Sequence, residues 1–527
     1  MTEPFNASSY LVDTNVEKGR GDDTALYCRG TKSSYTELLA NISDAARGLR
    51  ELGVRPEERV LLVMADEPEF LAAFLGAMRI GAIPVPVNTM LTAEELTHIA
   101  RDSRARWAIA SASFAPEAIK MASGSSEVEA ILITGHVDIL ALAGRGSASP
   151  ARAGLHVHQW SSFMDGTGDF FPPHATWDES PGFWLYTSGT TGRPYAAMHR
   201  HIDLKVTVDT YMRTVLAISS YDRCFSVAKL FFAYGLGNSM TFPLAAGAST
   251  VLDPAAPTPA STADIVSEYR PSLFFGVPTF YAALLASDIA EDTFRSVRFG
   301  VSAGEPLPAS IFHRFRDRFG VEILDGIGST EALHIFISNK PGDIRPGTTG
   351  TAVDGYELRL LDDGGSPCKP GEPGNLELRG DSIATGYWCN AASSRYSFRG
   401  EWLHTGDMYS CSDNGYYTYL SRSNDMIKAG GIWVSPSEVE ATLIEHPDVL
   451  EVGVVGFPDE EGLDKPVACI VPMPGHSISE EEIIAFARQK LAPFKRPRRI
   501  IVLDTLPKTA TGKIQRYKLR QALAAGE

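Results

Sequence analysis

The sequence predicts an α/β protein built from more than one domain. Three observations carry this: apolar β-branched runs alternate with helical patterns through the first half, the texture changes to short strands between Gly and Pro turns over 347–419, and a third pattern of helices and strands begins after Ser421. The length of 527 residues fits. A single hydrophobic core stops growing beyond about 250–300 residues, so a chain of this size divides.

In chain order, Tyr35 to Leu52 places apolar residues at helical spacing, Arg59 to Val63 reads as a short buried strand, and Glu67 to Ile80 is again helical. Ala82 to Val87 and Trp107 to Ile109 read as further strands. That is βαβ rhythm, which predicts a mostly parallel sheet. A Ser-, Gly-, Pro- and His-rich interval, 144–173, reads as a long connection before the next strand, Phe183 to Tyr186. The Gly- and Pro-punctuated stretch 347–419 reads as a small β-rich subdomain. Beyond it, Pro436 to Glu445 and Ser479 to Leu491 are amphipathic helices, and Val449 to Gly456 and Val467 to Val471 are strands. A unit of about 100 residues is the size of a compact domain, which puts a boundary at 421–425.

Composition narrows the function classes. Hydrophobic residues at 44% and charged residues at 21% are ordinary globular values. No apolar run reaches the ~18–20 residues a bilayer span needs, since the most apolar stretch, Phe70 to Val87, is broken by Arg79. The start, MTEPFNASSY, lacks a basic then apolar signal region, so a cytoplasmic location is expected. A net charge of −16 disfavours nonspecific nucleic-acid or membrane binding, and neither partner is expected. The charge is uneven: Lys490 to Arg520 holds ten Lys and Arg against one acid, Asp504. This cationic stretch is either a solvated face or a phosphate-docking patch. Cys28, Cys224, Cys368, Cys389, Cys411 and Cys469 lie scattered without metal-site spacing, which argues against zinc and disulfides and predicts buried free thiols.

Four clusters carry chemistry. Tyr186-Thr-Ser-Gly-Thr-Thr-Gly-Arg-Pro194 follows a strand directly; its glycines let the backbone turn tightly around an anion, and its amides and hydroxyls can donate to phosphate oxygens. A triphosphate is the natural ligand, against the plainer reading of a Ser/Thr/Gly surface loop. The spacing is not GxxxxGK[ST], which disfavours a P-loop NTPase. Asp325-Gly-Ile-Gly-Ser-Thr-Glu331, with Ser302-Ala-Gly-Glu305 before it, places the Thr330 hydroxyl beside the Glu331 carboxylate, a pair suited to Mg²⁺ carried on phosphate. Read alone, Ser-Thr-Glu is a helix cap. Thr405-Gly-Asp407 with Arg422 offers a carboxylate for ribose hydroxyls, or only a turn and a salt bridge in a loop. Pro507-Lys-Thr-Ala-Thr-Gly-Lys513 puts a lysine on a Gly-bearing loop, where it can neutralise a carboxylate and an α-phosphate together or simply be solvated.

In this order and over nearly the whole chain, the four clusters resemble the ANL superfamily of acyl-CoA synthetases, nonribosomal adenylation domains and luciferases. Lys229-Leu-Phe-Phe-Ala-Tyr-Gly-Leu-Gly-Asn238 and Gly326-Ile-Gly-Ser-Thr-Glu-Ala-Leu-His-Ile-Phe336 look most like the benzoate:CoA ligases. The resemblance implies a large N-terminal domain (1–421) of two βαβ-type subdomains plus a β-rich subdomain, and a small mobile C-terminal α+β domain (422–527). It also implies that Thr187, Ser188, Gly189, Thr190, Thr191 and Gly192 bind ATP, with Ser188 to Gly192 on the pyrophosphate end. Thr330 and Glu331 serve phosphate and Mg²⁺; Gly304, Glu305, Asp325, Gly326 and Ile327 flank adenine; Asp407 and Arg422 bind ribose. The resemblance also makes Lys513 the adenylation lysine. Rotation at the hinge, Asn424, replaces it with the face carrying Lys428 and opens a thiol tunnel beside Gly430 and Gly431. The resemblance allows a homodimer.

Two departures stand out. Where the family's phosphate loop ends Pro-Lys-Gly, this chain has Pro194-Tyr195-Ala196, which predicts weaker handling of ATP or pyrophosphate. The hinge, usually Asp or Lys, is Asn424. Phe232, Ala233, Tyr234, Gly235, Gly328 and His334 are expected to wall a short flat pocket suited to a planar ring, although Phe231 to Tyr234 also read as core residues of a strand and His334 as a structural histidine. The expected reaction is ATP-dependent activation of benzoate or a small relative to an acyl-adenylate, then transfer to the thiol of CoA. The alternatives are loading of the phosphopantetheine arm of an acyl carrier protein, and an adenylate-binding protein with little turnover.

Overall fold

A computed structural model describes residues 4–125, 127–135, 154–164, 169–188, 194–422, 425–429, 432–458, 464–508 and 514–525. The chain sorts into two compact units, one of residues 1–275, 328–335 and 380–396, the other of 276–327, 336–379 and 397–527.

In the first unit, helix Tyr35–Glu51 starts where Ser34 and Glu37 form a reciprocal capping box, so two otherwise orphaned amides are satisfied at its first turn. It packs on helix Pro68–Arg79 through small residues. A Cβ on Gly76 would sit 2.9 Å from Ala45 Cβ, too close to tolerate. The predicted parallel sheet is present, in the order Ile83–Pro86, Arg59–Val63, Trp107–Ser111, Ala130–Thr134, His156–Gln159. Its last strand corrects the reading of 144–173 as connection only. His-Val-His-Gln has no apolar run to announce it, and the strand forms because the edge of Ala130–Thr134 offers backbone partners. A second sheet runs Thr31–Ser34, Thr24–Cys28, Ser249–Leu252, Arg223–Ser226, Leu273–Gly276, parallel except for its first pair. The strand expected at Phe183 to Tyr186 extends to Pro181–Ser188 and forms a hairpin with Pro194–Arg200. Arg79, which interrupts the apolar run, is fully buried and grips both carboxylate oxygens of Asp13 at 2.9 and 3.0 Å.

In the second unit, Phe299–Ser302 and Ile323–Gly328 pair in parallel. Glu357–Leu361, Gly374–Arg379, Trp402–Cys411 and Tyr417–Arg422 form the expected β-rich antiparallel sheet. Toward the C-terminus, Val449–Pro458, Asp464–Pro472 and Arg499–Val502 make a three-stranded sheet, with helices Pro436–Leu443, Glu480–Lys490 and Arg516–Ala525 completing the α+β pattern. Ile427, Val434, Val439, Val454, Ile470 and Ile483 share its core.

Two expectations need correction. The six cysteines are unpaired, but only Cys28, Cys224 and Cys469 are buried; Cys368 and Cys411 are half-buried and Cys389 is exposed. Half of the basic C-terminal stretch is ion-paired rather than free. Lys490, Lys495, Lys508, Arg516 and Arg520 pair with Glu445, Glu438, Glu451, Glu440 and Asp425, acids that the linear sequence places elsewhere. Among the described residues no helix is long and apolar enough to cross a membrane.

Candidate active site

The first unit holds a cluster of aromatic rings around His334. The Lys229 ammonium donates to the carbonyls of Asp253 and Ala255, each at 2.6 Å, and the Leu230 amide donates to Asp66 Oδ1 at 3.0 Å. Asp66 is buried, and burial pushes its carboxyl up to about 6 against the pull of Lys229. These contacts fix the segment that follows. Phe232 precedes a short helix, Ala233–Leu236, so the alternative of a core strand over Phe231 to Tyr234 is corrected: Phe231 is buried, whereas Phe232, Ala233 and Tyr234 are partly exposed. Gly235 permits this, because a Cβ there would lie 2.1 Å from the Lys229 carbonyl oxygen.

His334 sits among aromatic rings, with centroids of Phe242, Tyr211 and Tyr234 at 4.5, 5.3 and 5.7 Å. Its Nε2 faces Asn238 Oδ1 at 3.2 Å. Burial pushes its pKa down to about 3, so the ring is neutral at physiological pH. Glycines make the room: a Cβ on Gly237 would lie 2.3 Å from His334 Cδ2, and one on Gly328 would lie 2.6 Å from the His334 carbonyl oxygen. Tyr234, Gly328 and His334 are thus brought together as expected. Asn238, Gly237, Tyr211 and Phe242 were not singled out by sequence as site residues; Gly237 and Asn238 lay within the quoted 229–238 stretch, and Tyr211 and Phe242 near no signal.

Four residues before His334 lies Thr330, whose carbonyl meets His199 Nε2 at 2.8 Å. Glu331 Oε1 accepts the Tyr387 hydroxyl at 2.8 Å, and Tyr195 stands edge-on to Tyr387 at 4.5 Å. Residues 329–333 form a turn, not a helix start, which corrects the helix-cap reading; the Ser329 hydroxyl accepts from the Ala332 amide within that turn. Thr330 and Glu331 are both partly exposed, so a hydroxyl and a carboxylate are available as hard oxygen ligands for Mg²⁺. Thr187 pairs with Tyr195 across the hairpin, and Ser188 ends its first strand. Gly189, Thr190, Thr191 and Gly192 lie outside the described residues.

The second unit carries the residues expected around adenine and ribose. Asp325, Gly326 and Ile327 lie on strand Ile323–Gly328. The Asp325 carboxyl is buried and raised well above the usual carboxylate range, chiefly by burial. Its Oδ2 accepts from the Leu307 amide at 3.4 Å, while Oδ1 has no partner among the described residues. Gly304, in the turn after Phe299–Ser302, has φ +97°, a conformation that favours glycine and brings backbone rather than side chain to that edge; Glu305 beside it is half-buried. Asp407 and Arg422 are register partners on adjacent strands rather than loop residues. Arg422 Nε lies 3.1 Å from Asp407 Oδ1, and its Nη1 donates to the Thr405 carbonyl at 2.8 Å. Lys428 lies on strand Ile427–Ala429, paired with Ile432–Val434. Its side chain, like Asn424, Gly430, Gly431 and Lys513, lies outside the described residues.

The model of the family described as AMP-binding enzyme matches residues 12–388, and that of the AMP-binding enzyme C-terminal domain matches 438–513. The chain belongs to the AMP-binding enzyme family. This AMP-binding enzyme is 42% identical to the benzoate–CoA ligase of Thauera aromatica, over 99% of its own chain and 97% of that protein. The crystal structure of a benzoate CoA ligase from Burkholderia xenovorans LB400 is similar with a TM-score of 0.88 and 41% identity, covering 98% of this chain and 100% of that one. An anthranilate CoA ligase solved in complex with anthranoyl-AMP is similar with a TM-score of 0.92 and 39% identity, covering 100% and 99%. The likeness to ANL enzymes read from the four clusters, and to benzoate:CoA ligases read from 229–238 and 326–336, is therefore borne out, as is the α/β class with a small C-terminal part.

Proposed function

We propose that this AMP-binding enzyme activates a small aryl carboxylic acid, benzoate or a close relative, with ATP and passes the acyl group to the thiol of CoA. One observation carries the substrate class: His334, held neutral among Tyr211, Tyr234 and Phe242, belongs to the same seven-residue stretch, 328–334, as Thr330 and Glu331. A flat apolar wall thus adjoins, along the chain, the oxygen ligands suited to a phosphate-bound cation.

In the first half-reaction a carboxylate oxygen of the aryl acid attacks the α-phosphorus of ATP, an oxygen–phosphorus bond forms, and pyrophosphate leaves. Asp407, braced by Arg422, accepts from the ribose hydroxyls, and Asp325 Oδ1 and the Gly304 edge receive the base. Mg²⁺, when bound, offsets phosphate charge beside Thr330 and Glu331. Lys513 neutralises the approaching carboxylate. In the second half-reaction the thiol sulfur attacks the acyl carbonyl carbon and AMP leaves, with the small C-terminal domain, 422–527, turning at Asn424 to present Lys428 and the Gly430–Gly431 edge. The relatives reported above are named for CoA as acceptor. Ion pairing of half the basic C-terminal residues also removes the argument for docking an acidic carrier protein.

Pyrophosphate exchange across a panel of carboxylic acids tests the substrate: benzoate and hydroxy- or aminobenzoates support the reading, and strongest exchange with long-chain fatty acids overturns it. Mass spectrometry of products made with CoA or with a phosphopantetheinylated carrier protein tests the acceptor; acyl-CoA is expected, and acylated carrier protein alone would overturn it. AMP-site binding with no thioester from any acid would favour a non-turnover role.

A further inference from the structure

The turn that carries Thr330 and Glu331 is held from outside at consecutive positions. The Thr330 carbonyl is met by His199 Nε2 at 2.8 Å, the Glu331 carbonyl by the Ala384 amide at 2.8 Å, and the Ala332 carbonyl by the Ser382 hydroxyl at 2.7 Å. The Glu331 side chain is held by the Tyr387 hydroxyl at 2.8 Å. Three of these four groups come from one segment, 382–387. That segment is itself tied to strand Pro194–Arg200: the Thr385 amide donates to the Met198 carbonyl, the Met198 amide to the Gly386 carbonyl, and the Trp388 amide to the Ala196 carbonyl.

The same turn contains a strained residue. Leu333 has φ +68°, a left-handed conformation that a branched apolar side chain rarely adopts. Such a conformation persists only where its surroundings over-determine it. Leu333 is buried, and the next residue is His334 of the aromatic cluster. A backbone left to itself would relax at Leu333 and move His334 and Glu331 together.

We infer that segment 382–387 is a strap that pre-orders the 329–334 turn for both ligands, with Ser382 and Tyr387 as positioning residues that make no contact with the reacting atoms. The inference rests on the reading of 329–334 as shared by aryl acid and nucleotide. Its physical content is entropic: with the strap intact neither ligand bears the cost of ordering the turn, and with it cut the first ligand bears that cost for the second. Loosening the strap therefore creates cooperativity between the two ligands.

The test is calorimetric titration of the full chain with benzoate and with the α,β-methylene analogue of ATP plus magnesium, which cannot be adenylated, each alone and in the presence of the other. Ser382→Ala is expected to weaken each ligand alone by about three- to ten-fold, the scale of one lost hydrogen bond, and saturating benzoate is expected to restore most of the analogue's affinity. Tyr387→Phe releases the Glu331 carboxylate while leaving the backbone ties of the turn in place; it should weaken the analogue without changing benzoate, and benzoate should not restore it. Unchanged affinities in both variants, or a weakening in Ser382→Ala that benzoate does not relieve, would overturn the inference. If Ser382→Ala does not fold, as a melting curve would show, the split between ligands in Tyr387→Phe decides. Binding of the analogue by the unaltered enzyme without binding of any aryl acid would sink the proposed substrate instead, and the analogue titrations alone would then report on the strap.

Discussion

On the proposed function Glu331 meets two demands, a carboxylate to serve a cation and a side chain held still by the Tyr387 hydroxyl. Glu331→Gln keeps an oxygen for that hydroxyl and removes the charge. It is expected to lower the rate of benzoate-dependent pyrophosphate exchange by about 10²–10³-fold, the range for loss of one preorganised electrostatic group, with benzoate affinity unchanged by calorimetry. His334 makes a prediction about pH. Its folded pKa is pushed to about 3 from an ordinary 6.5, so below 6.5 the unfolded chain binds a proton the folded chain refuses. Stability from this group is complete above 6.5 and is lost as pH falls toward 3. His201, pushed to about 4 by burial, acts in the same direction. Urea midpoints should fall between pH 6.5 and 4.5, and less steeply in His334→Gln; equal slopes would show that His334 is not held neutral.

At the scale of elements, the 229–236 segment owes its course to a buried carboxylate. Asp66 has its pKa raised to about 6, the opposite case: its contribution is present below the ordinary value of 3.8 and is lost as pH rises through 6. Asp66→Asn keeps an acceptor for the Leu230 amide and removes the buried charge, so at pH 8 it should be more stable than the parent. Asp66→Ala orphans that amide and should cost about 1–3 kcal/mol. Denaturant titrations at pH 5 and 8 separate the two, and loss of stability in Asp66→Asn at pH 8 would count against the argument. The contact of helices Tyr35–Glu51 and Pro68–Arg79 is limited by Gly76. Gly76→Val should cost about 1–3 kcal/mol through overpacking, read from the same titrations.

At the scale of the molecule, Arg79 ties three distant stretches: its guanidinium grips Asp13, and its Nε donates to the Phe171 carbonyl. Removing one partner of a buried pair leaves an uncompensated charge, so Asp13→Leu alone should cost about 3–5 kcal/mol, while Asp13→Leu with Arg79→Met should recover most of it in a double-mutant cycle. The two half-reactions give a second prediction. Lys513→Ala should abolish adenylation of benzoate yet leave thioester formation from supplied benzoyl-adenylate and CoA, measured by chromatography of acyl-CoA; equal loss in both would refute separate roles for Lys513 and Lys428.

The clusters proposed to hold the nucleotide could be picked out along the chain because loops that turn around phosphate or approach a base need particular residue types close together: glycines at 189, 192 and 304, hydroxyls at 187–191 and 330, carboxylates at 325, 331 and 407. The βαβ rhythm was legible for the same local reason, since burial on one face writes a period into neighbouring residues. The strand His156–Gln159, the pairing of the basic C-terminus, His199 against the Thr330 carbonyl, Asp66 beneath Leu230 and the strap 382–387 were not. Their residue types are common and their partners lie elsewhere along the chain. Sequence by itself determined which atoms are available and where most helices and strands form, because those follow from backbone sterics and near-neighbour patterning. Only the tertiary structure decided which histidine is kept neutral, which carboxyl is raised and which turn is pinned, because desolvation and hydrogen bonding act through distances of a few ångströms that chain separation does not reveal.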